Sequence, residues 1–192
     1  MTIKPLNEDS LAILLICSNL AVGSDYYERI KPYSLNEWNR LATLLIKSDL
    51  KTPRALFHTE SSVWKSQLKL SDSEVERLKW LLSNGGNLSI ELNNLNNFGI
   101  WVTTRAEETY PVLLKNRLKQ KCPIFIYCAG DGELFNRSGI AVVGSRNIDK
   151  DGISFTQLLA KKAALEDYTI ISGGARGVDS ICENSAISAN GK

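Results

Sequence analysis

The chain has 192 residues, of which 43% are hydrophobic and 23% are charged, a composition that suits one or two soluble globular domains. Its 23 lysine and arginine residues nearly balance its 21 aspartate and glutamate residues, so a strong overall field that would recruit a polyanion is excluded. The longest apolar stretch, Leu11 to Cys17, falls far short of the roughly 20 residues of a membrane span, and no signal-peptide pattern follows Met1. We therefore expect a cytoplasmic protein without a membrane partner, in which any nucleic-acid site is a local patch.

The cysteine and histidine content argues against metal binding and against nucleophilic catalysis. The cysteines are Cys17, Cys122, Cys128 and Cys182, none of which forms a CxxC pair, and the single histidine is His58. Zinc sites usually hold paired ligands about two to four residues apart, and a Ser-His or Cys-His arrangement needs a suitably placed histidine. We therefore expect reduced thiols and no metal site.

Residues 1–97 carry eleven basic and eleven acidic side chains, and their apolar residues recur at helical spacing. Capping patterns predict where helices begin, namely at Asn7, at Ser34 with Glu37, at Thr52 with Pro53, and at Ser71 with Glu74. Gly85 and Gly86 are expected to stop the helix that follows Ser71. A last amphipathic segment, residues 88–97, leads into the second half.

Strand patterns begin after Asn97. The β-branched and aromatic runs are Phe98–Thr104, Pro123–Cys128, Ile140–Val143 and Thr169–Ile171, with helices expected at about 152–166 and 178–189. Thr104 to Glu107 is expected to cap a short helix that contains Tyr110 and Pro111.

The alternation of strand and helix after residue 140 predicts a parallel sheet covered by helices on both faces. The fold class is thus α/β, with a helical N-terminal domain over 1–97 and a Rossmann-like domain over 98–192. A doubly wound sheet normally has more strands than this stretch supplies, so we expect the Rossmann-like domain to be incomplete at its C-terminus.

Two glycine-rich loops directly follow the last two predicted strands. They are Gly144-Ser145-Arg146-Asn147 and Ser172-Gly173-Gly174-Ala175-Arg176-Gly177. Neighbouring parallel strands lie about 4.8 Å apart, so both loops should meet in one crevice, the usual ligand position in open α/β sheets.

The residue types in these loops suit a phosphate. The glycines allow close backbone approach, and the following helix N-termini add partial positive charge. Ser145 and Ser172 offer hydroxyl groups, while Arg146 and Arg176 can grip a phosphate with two parallel hydrogen bonds. The alternative is purely structural: the glycines only make tight turns, and the arginines pair with Asp149 or Asp179.

The identity of the phosphate ligand is constrained by missing motifs. A dinucleotide fingerprint needs G-x-G-x-x-G after the first strand, but the first loop has one glycine, and no acidic residue ends the second strand. NAD and FAD are therefore disfavoured, and no cofactor is expected. A Walker loop is also missing. Asp179 is more simply explained as a first-turn helix residue than as an acid or base. The basic run from Lys115 to Lys121 could strengthen a nucleic-acid surface, although a solvated helix face is the better explanation.

The two loops, together with further short elements, resemble the DNA-processing protein A family (DprA, also called Smf). The residues that carry the resemblance are Gly139–Arg146, Ile171–Asp179, Tyr110–Leu114 and Pro123–Tyr127, and more loosely Leu35–Ala42 and Phe98–Arg105. The resemblance implies an extended Rossmann-like domain that binds single-stranded DNA without base specificity. It further implies a homodimer that loads a RecA-type recombinase during natural transformation, with no enzymatic activity.

The same resemblance assigns the site residue by residue. Gly144, Ser145 and Arg146 match the family's phosphate-contacting motif, and the second loop from Ser172 to Gly177 matches its other glycine-rich loop. The family's remaining DNA contacts and its dimer and recombinase surfaces would lie downstream of Lys192.

Two other classes of protein remain open at this point. Nucleoside-monophosphate hydrolases of the lysine-decarboxylase-like (LOG) group share this kind of sheet, and their catalytic motif would lie beyond Lys192. Arg146 after Gly144 and Ser145, together with the Tyr110-Pro111 element, favours the DprA family. The third class is a helical interaction module whose α/β half binds no phosphate ligand.

Overall fold

The computed structural model describes residues 5–22 and 30–192 and divides the chain into two compact units, residues 1–130 and 131–192. The elements of the first unit are α1 (Glu8–Cys17), α2 (Leu35–Lys47), α3 (Ser61–Leu68), α4 (Asp72–Leu82), α5 (Gly85–Asn97), β1 (Ile100–Thr104), α6 (Val112–Leu118) and β2 (Phe125–Ala129), with 3-10 helices at Pro53–Phe57 and Lys119–Lys121. The second unit contains β3 (Gly139–Ala141), α7 (Lys150–Leu165), β4 (Thr169–Ile171) and α8 (Val178–Ser188), with a 3-10 helix at Gly132–Asn136. The predicted α/β class is confirmed.

Helix α1 forms the centre of the first unit. Six of its residues in a row, Ala12 to Cys17, are buried, so the helix is apolar around most of its circumference. One cluster of apolar side chains packs around Ile13 and Ile16, and a second packs around Leu14 and Leu15. A helix that is hydrophobic on all sides is stable only when it is surrounded, and α4, α5, β1 and the 3-10 helix Pro53–Phe57 pack against this one.

The helix starts follow the predicted capping chemistry. Ser34 accepts a hydrogen bond from the backbone N–H of Glu37, whose carboxylate accepts one from the N–H of Ser34 at 2.7 Å. Ser71 and Glu74 repeat this capping box, and the side-chain oxygen of Asn7 accepts from Ser10 N–H at 2.8 Å. These three predictions are confirmed, whereas Thr52 precedes the 3-10 helix at Pro53 as predicted but makes no side-chain cap hydrogen bond.

Two local predictions are wrong. Gly85 and Gly86 do not stop α4, which already ends at Leu82; they are the first two residues of α5. The segment after Thr104 caps no helix, because α6 begins only after Pro111 and without a side-chain cap. The Thr104 hydroxyl instead bonds to the hydroxyl of Ser10 at 2.8 Å, which leaves it buried against α1.

The boundary between the two units follows Gly130, whereas the sequence placed a domain boundary after Asn97. Strand β1 pairs antiparallel with β2, with Ile100 opposite Ala129. Val102 of β1 packs in the cluster that contains Leu14 and Leu88. This hairpin therefore completes the helical core.

The second unit is built on a parallel strand pair. Strands β3 and β4 run parallel with Gly139 opposite Thr169 and Ala141 opposite Ile171, which confirms the predicted pairing. The N–H of Val142 donates to the carbonyl of Ile171 at 2.9 Å and continues the ladder toward the glycine loops.

The core of this unit is small and lies between α7 and α8. It consists of Val142, Ala160, Cys182 and Ala186, with partly buried side chains around them. The sequence predicted helices on both faces of the sheet, but Ile171 is 55% exposed, so in the described residues one face is open.

All four cysteines are free and buried, as expected. Burial raises the pKa of Cys128 to about 11 and raises those of Cys17 and Cys182 as well, which keeps these thiols protonated and unreactive. Over residues 5–22 and 30–192, none of the helices combines the length and the apolar composition that a bilayer crossing requires.

Candidate phosphate-binding site

The structure brings the two glycine loops together at the carboxyl ends of β3 and β4. The backbone N–H of Val178, the first residue of α8, donates to the carbonyl oxygen of Ser145 at 3.1 Å. One guanidinium nitrogen of Arg176 lies 3.3 Å from the amide oxygen of Asn147. The loops are therefore in direct hydrogen-bonded contact, as the strand order predicted.

Gly177 makes this close contact possible. It has a φ of +92° and is buried, and a Cβ atom there would lie against the carbonyl oxygen of Ser145 and 2.7 Å from the Cα of Arg146. Gly144 faces the same junction, where a Cβ would lie 2.5 Å from a methyl carbon of Val178. Both positions need glycine because backbone and helix approach one another too closely for a side chain.

The two serine hydroxyls are already engaged by protein groups. Ser145 Oγ donates to the carbonyl of Asn147 at 2.5 Å and accepts from the Asn147 N–H at 3.1 Å. The hydroxyl of Ser172 donates to the carboxylate of Glu183. The sequence had offered these hydroxyls to a ligand, and in the structure both make hydrogen bonds that hold the loops.

The arginines of the two loops are exposed and form no ion pair with any described residue. Arg146 has no hydrogen-bond partner in the described part of the chain, and Arg176 contacts only Asn147. The acids that could have paired with them are used elsewhere: Asp149 caps α7 through the N–H of Gly152 at 2.8 Å, and Asp179 accepts from the N–H of Gly173. Both guanidinium groups are therefore open to an anion.

Backbone donors add to the guanidinium groups. The N–H groups of Ser145 and Arg146 have no acceptor within the described residues, and those of Arg176 and Gly177 likewise have none. The latter pair directly precedes the N-terminus of α8, where the helix dipole is positive. Unpaired N–H groups beside a helix start are the arrangement that holds phosphates in many α/β proteins.

The positive charge of this site is local. The second unit as a whole carries seven basic and eight acidic residues, so it has no net positive field. Within the ranges that the structure describes, no group of three or more histidine, cysteine or acidic side chains could hold a metal ion. Any anion held here would be held by arginine and backbone N–H groups.

The sequence analysis placed Asn147 in the first loop without a role and missed Glu183. Asn147 links the loops by accepting from Arg176, and Glu183 fixes Ser172 from the next helix turn after Asp179. Asp179 and Glu183 are four residues apart at the start of a helix, so both carboxylates lie on one face. This spacing is the sequence signal that could have identified Glu183.

Adjacent parallel strands, each ending in a glycine loop that leads into a helix, define a Rossmann-like α/β unit. Residues 101–192 match the family model of DNA recombination-mediator protein A. The resemblance seen in the sequence is confirmed over this range, which includes both loops. Residues 1–100 lie outside the match.

Among solved structures, the chain is similar to the X-ray structure of DNA processing protein A (DprA) from Streptococcus pneumoniae. The two share 18% sequence identity and a TM-score of 0.48, and the match covers 98% of this chain and 56% of that chain. This chain thus spans little more than half the length of that protein. No curated protein matches the sequence.

Proposed function

We propose that this chain binds single-stranded DNA through its phosphates at the candidate phosphate-binding site, without reading bases. The observation that carries the proposal is the convergence of Arg146 and Arg176, both exposed and free of carboxylate partners, on one hydrogen-bonded pair of loops. Phosphate contacts position a nucleic acid but carry no base information. The match of residues 101–192 to the family model of DNA recombination-mediator protein A supports DNA as the source of the phosphate.

We further propose that the protein acts in DNA uptake during natural transformation, together with a RecA-type recombinase and as a homodimer. The support for these partners is the family resemblance, since the two loops of the site do not indicate a recombinase or a second copy of the chain.

The site supports a binding function better than a catalytic one. A general acid or base is most often an imidazole or a carboxylate within hydrogen-bond reach of the substrate. The carboxylates next to the second loop, Asp179 and Glu183, are both engaged by loop donors, the N–H of Gly173 and the hydroxyl of Ser172. The competing nucleoside-monophosphate hydrolase predicts release of free base from nucleoside monophosphates, whereas a binding protein releases none.

The direct test is a salt-titrated binding assay with poly-dT on the wild type and Arg146→Ala. The variant should bind more weakly, and the slope of log affinity against log salt should fall by about 0.7, the value for one phosphate on a single strand. Arg54→Ala is the matched control, because Arg54 is exposed, its side chain has no partner in the described part of the chain, and it lies outside the two loops and the basic run of residues 115–121. Equal affinity of Arg146→Ala and wild type would refute the site.

A further inference from the structure

We infer that Asp179 and Glu183 position the second glycine loop for phosphate binding, as acceptors behind the loop. This inference rests on the proposed function. Both residues lie in α8, four residues apart, so their side chains project from one face of the helix toward the loop. They are positioning residues, since neither is placed to touch an anion directly.

The contacts are specific to the start of the loop. Asp179 is 7% exposed, and its carboxylate accepts from the N–H of Gly173 at 3.1 Å. Glu183 accepts from the hydroxyl of Ser172, which in turn accepts from the N–H of Gly174 at 3.4 Å. Three consecutive residues of the loop are thereby fixed by two carboxylates.

Gly173 is adapted to this role. A Cβ atom at this position would lie 3.1 Å from the Asp179 carboxylate oxygen, so a side chain would crowd the acceptor. The following residue, Gly174, has a φ of +68° with open space around it, a backbone conformation that favours glycine. Arg176, beyond this turn, contacts Asn147 and pairs with neither acid of α8.

This arrangement divides the second loop into two parts. The hydroxyl of Ser172 and the N–H of Gly173 donate to the carboxylates of α8 and hold the loop. Arg176 and the free N–H groups before α8 remain for the ligand. The sequence had assigned all of these residues to the ligand alike. A phosphate contact is thus expected from the second part only.

The negative charge of a carboxylate repels a phosphate, so the two acids can favour binding only through the hydrogen bonds they accept. Substitutions can separate the acceptor from the charge. An amide in place of the carboxylate keeps an oxygen acceptor and removes the negative charge, whereas alanine removes both. The amide variants should therefore bind DNA at least as tightly as the wild type, and the alanine variants more weakly.

The experiment measures poly-dT binding at low salt for the wild type, Asp179→Asn, Asp179→Ala, Glu183→Gln and Glu183→Ala, and amide hydrogen exchange at Gly173. Loss of a charge-assisted anchor predicts roughly fivefold to tenfold weaker binding for Asp179→Ala. The N–H of Gly173 should be protected in the wild type and in Asp179→Asn and exchange faster in Asp179→Ala. Asp151→Ala is the matched control, because this exposed acid also lies in the first turn of a helix that follows a glycine loop.

Rescue by both amide variants, with weak binding by both alanine variants, supports the inference. Wild-type affinity in Asp179→Ala and Glu183→Ala would overturn it while leaving the proposed function intact. Equally weak binding by Asp179→Asn and Asp179→Ala would also overturn it, since the acceptor would then not be what matters. If the wild type binds no oligonucleotide at low salt, the proposed function fails and this inference fails with it.

Discussion

The backbone N–H of Val178 donates to the carbonyl oxygen of Ser145 at 3.1 Å and so joins the start of α8 to the loop that follows β3. The contact requires the residue before Val178 to pass directly beneath the first loop. Gly177 does this with a φ of +92° and no side chain. The contact between the two loops therefore depends on Gly177.

Gly177→Ala should destabilise the second unit by about 2–4 kcal/mol, since it combines an unfavourable backbone region with overpacking against Ser145 and Arg146. Gly174→Ala is the matched control. Its φ of +68° is also unfavourable, but its Cβ would meet nothing within 4 Å, so it should cost only about 1 kcal/mol. Urea unfolding of both variants measures the difference, and equal costs would contradict the role given to Gly177.

The helix starts and the parallel strand pair could be predicted from sequence because their causes are local. A capping box such as Ser34 with Glu37 needs only residues three apart, and the apolar runs around Ile140 and Ile170 pair through a single crossover. The placement of the β1–β2 hairpin could not be predicted, because it depends on packing against Leu14 and Leu88 far away in the chain.

In the site, the residue types were predictable, but their hydrogen-bond partners were not. The two arginines and the glycine turns follow from composition and strand order. That Ser172 would donate to Glu183, and so not to a ligand, depends on the rotation of α8 about its axis. A shift of α8 by one residue would move Glu183 away from Ser172 and leave the serine hydroxyl open to a ligand. A single sequence does not specify this rotation.

A second prediction concerns the buried tyrosine that precedes α6. Tyr110 is 3% exposed, and its hydroxyl donates to the carbonyl of Pro123 at 2.7 Å, with the Cys122 sulfur at 2.9 Å. Tyr110→Phe should cost about 1 kcal/mol and no more, because Arg105 also donates to the Pro123 carbonyl and keeps it paired. Chemical denaturation gives the value.

The matched control is Tyr127→Phe. Tyr127 is 51% exposed, and removal of its hydroxyl should change the unfolding free energy by less than about 0.5 kcal/mol. A loss at Tyr110→Phe no larger than at Tyr127→Phe would show that the tie between Tyr110 and Pro123 contributes nothing.

A third prediction concerns pH. The hydrogen bond from Arg77 at 2.6 Å, with those from Ser34, lowers the pKa of Glu37 from 4.5 to about 2. A carboxyl whose pKa is depressed on folding stabilises the folded state above its unfolded pKa, and this contribution is lost as the pH falls through the folded value. Stability of the first unit should therefore decline between about pH 4.5 and pH 2.

Glu37→Gln should flatten this decline, since the neutral amide does not titrate. Glu76→Gln is the control, because Glu76 forms only an exposed pair with Lys79 at 3.1 Å, and such pairs contribute little. Thermal unfolding across this pH range distinguishes the variants. Parallel curves for Glu37→Gln and wild type would show that the Arg77 contact does not stabilise the fold.

The last prediction tests how Arg146 would hold a phosphate. Its side chain is exposed and has no partner in the described part of the chain, so a lysine can replace it without disturbing the fold. Lysine keeps the charge but presents a point charge in place of a planar fork, and so should restore only part of the affinity that Arg146→Ala loses. Because phosphates carry no base identity, the loss in each variant should be the same for poly-dT and for a mixed-sequence oligonucleotide. Fluorescence anisotropy at two salt concentrations measures both effects. Full rescue by Arg146→Lys would show that charge alone suffices, and a loss confined to one of the two oligonucleotides would show that Arg146 contacts a base.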